Sequence, residues 1–249
     1  MTETLVLLCA ASIGSFGNNL ISYFGNRSNL EIKRSICFCG KKSLSAVELI
    51  PIFNYVLQKG RCNTCGIKLP ARYLTIEVLT ILLGIACYYK YGISPELLIN
   101  FFALFFLLII GTVDLLKFKI PDKLLLSLLF VALPHLLLFS QIIFLNAIIS
   151  AAIIIVLLAI KEFYTKYKRK DAIGYGDIKL IGILVLLYGF PLSLIGIWIS
   201  SILGIAGYFV KKENENRIPL GFYLAISFLI MNFFNERIIN LIYRLYGVN

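Results

Sequence analysis

Leu97-Leu98-Ile99-Asn100-Phe101-Phe102-Ala103-Leu104-Phe105-Phe106-Leu107-Leu108-Ile109-Ile110-Gly111-Thr112-Val113 runs for 17 residues without a charge and stops on Asp114. A bilayer core takes roughly 20 apolar residues of helix, so this run reads as a membrane span. Seven more apolar runs, at 5–23, 73–89, 124–139, 142–160, 178–190, 192–210 and 218–234, bring the total to eight. Hydrophobic residues make up 59% of the 249, charged residues only 15%, and mean hydropathy is +0.88, a balance that excludes a soluble globular domain. The expected fold class is all-α, a polytopic membrane protein of about eight transmembrane helices with a small cysteine-bearing insertion between the first two.

The basic residues orient it. Lys and Arg number 24 against 13 Asp and Glu, a net charge of +11. Taken span by span, 21 of the 24 fall on one side, in 26–72, 117–123, 161–179 and 211–217; only Lys90, Arg237 and Arg244 fall on the other. The positive-inside rule puts the 26–72 insertion in the cytoplasm and both termini outside. Membrane topology thus accounts for the charge without nucleic acid, and anionic lipid headgroups are its natural neighbours.

Against this apolar background Gly174-Tyr175-Gly176-Asp177-Ile178-Lys179-Leu180 stands out, because it sets a carboxylate at the cytoplasmic mouth of a span. Asp114 ends its own span at the same surface, so the topology lets the two acids meet. Neighbouring carboxylates cannot both ionise comfortably and share a proton, the state that peptide hydrolysis by a diacid requires. Gly174 and Gly176 are expected to supply backbone freedom and access to Asp177. Gly189-Phe190-Pro191 should stop the span that follows. Asp122 reads as a helix start, Asp171 as a solvated charge, and His135, the only histidine, as a packed side chain.

Cys37, Cys39, Cys62 and Cys65 cluster in the polar insertion. Cys62-Asn63-Thr64-Cys65 has the spacing of half a tetrahedral zinc site, and Cys37-Phe38-Cys39 would supply the other half, in a structural role. Cys9 and Cys87 lie alone in apolar runs and read as small buried hydrophobes.

Several of these segments together resemble the prepilin peptidase family, the membrane aspartic proteases of the GxGD type that process type IV pilin precursors and pseudopilins. Gly14-Ser15-Phe16-Gly17-Asn18 is similar to its first-helix motif. Arg34-Ser35 and the two cysteine pairs resemble its cytoplasmic loop, although Cys37-Phe38-Cys39 is one residue tighter than the family's first pair. The stretch 72–80 resembles the start of its second span. Asp114 with Ile120-Pro121-Asp122 and Gly174 to Leu180 resemble its two catalytic segments, and Ile218-Pro219-Leu220-Gly221 its late proline-glycine motif. The resemblance implies residues 1–25 as a first transmembrane helix, 26–72 as a cytoplasmic loop domain, and 73–249 as a seven-helix protease core. It also implies catalysis by Asp114 and Asp177 at the cytoplasmic face of a bacterial inner membrane. The reaction would be cleavage of a short basic leader after a glycine, followed by N-methylation from S-adenosylmethionine. The substrate could serve a pilus, a secretion machine or DNA uptake. Two other readings use the same acids: an intramembrane protease of the presenilin type, which shares G-x-G-D, and a transporter that binds cations or relays protons.

Overall fold

The computed structural model describes residues 2–25, 60–61, 66, 68–139, 143–169, 173–210 and 218–245. Among them are eight helices: α1 (Thr2–Gly25), α2 (Arg72–Tyr91), α3 (Pro95–Lys117), α4 (Asp122–Phe139), α5 (Ile143–Lys168), α6 (Tyr175–Tyr188), α7 (Leu192–Val210) and α8 (Leu220–Leu245). Each holds all or most of one of the eight apolar runs. Five of them, α1, α2, α3, α5 and α7, are long and apolar enough to cross a membrane. Large side chains such as Phe130, Phe144, Phe163 and Trp198 are exposed, as a lipid-facing surface requires. The protein is an all-α polytopic membrane protein.

The chain forms two compact units, Met1–Phe101 and Phe102–Asn249. In the first, α1 and α2 pack antiparallel. Gly14 and Gly84 let the backbones close, since a Cβ on Gly14 would stand 3.0 Å from the Glu77 Cα and one on Gly84 2.8 Å from the Ala10 Cβ. Small residues serve this purpose between membrane helices. Polar contacts tie the same seam: Asn18 Nδ2 donates to the Tyr73 carbonyl at 2.9 Å, and Arg72 Nη2 donates to Ser22 Oγ at 3.3 Å. Cys87 is buried as expected, but Cys9 is exposed, because its neighbour Ala10 takes the place facing Gly84. Residues 61 and 68 form an isolated antiparallel bridge, beside which Leu69 N donates to Gly60 O at 2.8 Å.

In the second unit α6 is the central element, packed against α4, α5, α7 and α8. It has no polar stripe beyond its first turn, and Ile178, Leu180, Ile181, Gly182, Ile183, Leu184, Val185 and Leu187 are all buried. A helix apolar on all sides belongs in such a position. Ser150 of α5 fixes it by donating Oγ to the Gly182 carbonyl at 2.9 Å. Gly189, at φ 64°, ends it and donates to Val185 O at 2.9 Å, with Pro191 two residues on.

Two helices outlast their apolar runs. The sequence placed Lys161 in a loop, yet α5 continues to Lys168, its basic last turn suiting the negative end of the helix dipole. Likewise α8 continues to Leu245, well past the last apolar run, which ends at 234. Apolar periodicity marks what a bilayer covers; a helix projects beyond it wherever its hydrogen bonds continue.

Candidate active site

The second unit brings Asp114 and Asp177 together. Asp114 lies in the last turn of α3 and is only 4% exposed. The chain leaves that helix through Phe118, whose left-handed backbone (φ 53°) donates its N–H to Asp114 O at 2.7 Å. Asp177 is the third residue of α6. Gly174 caps that helix, and its amide is a hydrogen-bond partner of the Asp177 carboxylate, the backward reach of an acid in a capping box. The two carboxylates interact electrostatically.

A third element closes the site. Pro219 precedes α8, and the first-turn amides of a helix have no partner within it. Phe222 N donates to Asp114 Oδ2 at 3.3 Å, while the Gly221 amide interacts with both Asp114 and Asp177. The positive end of α8 is therefore shared between the acids. Gly111 lets α3 approach α8 closely, since a Cβ there would stand 2.8 Å from the Ala225 Cβ.

The glycines at Asp177 act through space rather than through dihedral freedom. Gly174 has φ −71° and ψ 145°, which any residue adopts. A Cβ on it, however, would stand 2.9 Å from Asp177 Oδ2. A Cβ on Gly176 would stand 3.0 Å from the Ile120 Cβ, so the space left by the missing side chain is taken by the chain's own isoleucine. Ile120 also lies against Gly221, where a Cβ would stand 2.7 Å from its Cδ1. This side chain thus packs between the starts of α6 and α8 and holds them apart.

Lys161 completes the surroundings. Its side chain is buried, its Nζ lies 3.2 Å from the centroid of the Tyr175 ring, and it acts electrostatically on Asp177. Tyr175 in turn donates its hydroxyl to Glu162 Oε1 at 3.4 Å. Asp177 Oδ1 is buried and has no hydrogen-bond partner among the described residues. Asp122 starts α4 and pairs at the surface with Lys179, Nζ to Oδ1 2.6 Å.

Sequence reasoning found the two acids and missed the groups around them. Pro219-Leu220-Gly221 ahead of an apolar run is a helix-start signal, and free amides follow from it. Lys161 was legible only as the first charge after a long apolar run. Cys37, Cys39, Cys62 and Cys65 lie outside the described residues, as does Asp171; among the described residues no group of three or more His, Cys, Asp or Glu could hold a metal ion.

Comparison with known proteins identifies the family. Residues 8–91 match the family described as "Bacterial Peptidase A24 N-terminal domain", and residues 101–209 match "Type IV leader peptidase family". A protein of Aeromonas salmonicida (strain A449) named "Prepilin leader peptidase/N-methyltransferase" is 30% identical over 259 residues, covering 90% of this chain and 88% of its own. Proteins of the same name from Legionella pneumophila and Bacillus subtilis (strain 168) are 32% and 30% identical. The first match covers 85% of this chain and 76% of the relative, the second 78% of each. No solved structure matches the chain significantly. With its membrane helices, its two aspartates under one helix start, and relatives that match along most of both chains, this protein belongs to the type IV leader peptidase family.

Proposed function

We propose that the protein is a membrane aspartic endopeptidase acting on type IV prepilin or pseudopilin precursors, with Asp114 and Asp177 as its catalytic pair. The observation that carries this reading is the Gly221 amide, which faces both carboxylates at the start of α8. A shared donor between two acids holds them in one arrangement and balances the negative charge that one of them must carry. Asp177 Oδ1, buried and without a partner among the described residues, is a carboxylate oxygen of the pair left over for the reaction.

The reaction follows from the pair. The ionised carboxylate takes a proton from water as its oxygen attacks the scissile carbonyl carbon. The protonated carboxyl donates to the carbonyl oxygen, giving a neutral gem-diol. Collapse of that intermediate breaks the C–N bond: the proton first taken from water passes to the departing amine, the other carboxylate takes a proton back from a gem-diol hydroxyl as the carbonyl re-forms, and the pair again shares one proton. No metal ion or covalent intermediate enters the cycle.

The relatives named prepilin leader peptidase/N-methyltransferase support a second step, methylation of the exposed amine, for which S-adenosylmethionine would supply an electrophilic methyl group. The positive-inside count supports the cytoplasmic face for the acids and an outside location for both termini. Residues 26–72 would then be a cytoplasmic loop domain whose four cysteines take structural zinc, and the acids at the ends of α3 and α6 would lie where a basic leader meets its apolar helix.

The test is co-expression with a prepilin and mass spectrometry of the pilin N-terminus. Asp114→Asn and Asp177→Asn should each abolish cleavage while the protein still inserts in the membrane. Normal processing by either variant overturns the assignment. A cut deep in the apolar segment of the substrate would favour the presenilin-type reading instead.

A further inference from the structure

Outside the two acids and the α8 amides, the group that best repays attention is Lys161. An ammonium is strongly hydrated and rarely buried without compensation. Yet this one, at the end of the apolar part of α5, is only 5% exposed. Among the described residues it forms no ion pair; what faces it closely is the Tyr175 ring, 3.2 Å from Nζ to the centroid. Cation–π attraction strengthens when the cation is desolvated, and it compensates part of the burial. The ring is held in turn: Tyr175 is the first residue of α6, and its hydroxyl reaches Glu162, the neighbour of Lys161 in α5. Two residues beyond Tyr175 on the same helix is Asp177, on which Lys161 acts electrostatically.

The geometry points to Lys161 as a positioning residue for the diacid: a buried cation, clamped on the face of Tyr175, that keeps a fixed positive charge beside Asp177. This rests on the peptidase reading and extends it by assigning unequal roles to the two acids. Asp114 has two helix-start amides; Asp177 has one of these, its own cap amide and the ammonium. The other charged groups near α6 among the described residues, Asp122, Glu162 and Lys179, are exposed. A full positive charge acts over a longer range than an amide dipole. Asp177 is therefore the member that stays ionised and takes the water proton, and Asp114 is the member that donates.

The experiment uses the full-length protein in detergent micelles with a purified prepilin. Lys161→Met keeps length and apolar volume and removes the charge; Lys161→Arg keeps the charge and can still stack on the ring. Lys161→Met should lower kcat by about 10- to 100-fold, the loss typical of removing an electrostatic stabiliser, with KM within about twofold. Lys161→Arg should recover most of the turnover. Tyr175→Leu, which removes the ring, should fall toward the Lys161→Met value. Thermal unfolding of each variant identifies any loss of folded protein, and Lys161→Gln replaces Lys161→Met if the latter does not fold. Turnover by the charge-free variant equal to wild type overturns the inference, as does a folded Lys161→Arg as impaired as Lys161→Met. Wild-type protein and Asp177→Asn run alongside separate the two levels: failure of the wild type to cleave sinks the peptidase reading itself, whereas wild-type cleavage with an indifferent Lys161 sinks only the assignment made here.

Discussion

Gly221→Ala tests whether the start of α8 organises the pair. A Cβ at this position would stand 3.0 Å from Asp114 Oδ2, 3.2 Å from its Cγ and 2.7 Å from Ile120 Cδ1. Ordinary contacts of a Cβ lie at 3.4–4 Å, so the carboxylate must retreat by a few tenths of an ångström or α8 must shift. The Phe222 N to Asp114 Oδ2 bond is already 3.3 Å long, and either movement breaks it. A hydrogen bond to a charged group contributes about 1.5–3 kcal/mol, so its loss from the reacting state lowers turnover by about 10- to 150-fold. Stability should move little, because alanine removes up to about 1 kcal/mol of the helix cost of glycine, offsetting part of the strain. The assay is the rate of prepilin cleavage by purified protein, read by mass spectrometry beside a thermal unfolding curve. Ile120→Val removes the Cδ1 atom and leaves the Asp114 conflict, so the double variant should stay impaired. Wild-type turnover by Gly221→Ala, or full recovery in the double variant, would refute the argument that displacement of the carboxylate is the cause.

Two further substitutions separate the site from its scaffold. Asp122→Asn breaks the pair with Lys179, whose side chains are 54% and 76% exposed for lysine and aspartate respectively; it should cost less than about 1 kcal/mol and leave cleavage within about twofold. Ser150→Ala removes the buried bond to the Gly182 carbonyl; a loss of roughly 0.5–1.5 kcal/mol is expected in thermal unfolding, with KM unchanged.

What could be read from the sequence follows from the solvent. Each of the eight described helices carries one of the apolar runs, because hydrocarbon demands runs of that kind and little else produces them. Where α5 and α8 continue past those runs the requirement lapses, and so did the reading. Asp114 and Asp177 were visible because a carboxylate at the end of an apolar run is costly. The Gly221 and Phe222 amides were not, since a backbone N–H has no residue code and only the packing of α8 aims it. Lys161 was counted as one loop cation among many; its burial depends on Tyr175, fourteen residues away and on another helix. Gly174 was noticed for a dihedral freedom it does not use, since sequence shows that a side chain is missing and not which neighbour takes the space.

The length of α6 has its own consequence. Fourteen residues rise about 21 Å, well short of the roughly 30 Å of a hydrocarbon core. A helix facing lipid at that length would thin the bilayer or tilt its neighbours. Surrounded by α4, α5, α7 and α8, α6 meets protein instead, and its extent answers to packing rather than to membrane thickness. An acid at its first turn can therefore sit deeper than any lipid-facing helix would allow, while the outer helices vary with the host membrane. Adaptation to a thicker or thinner bilayer need not touch the chemistry at all.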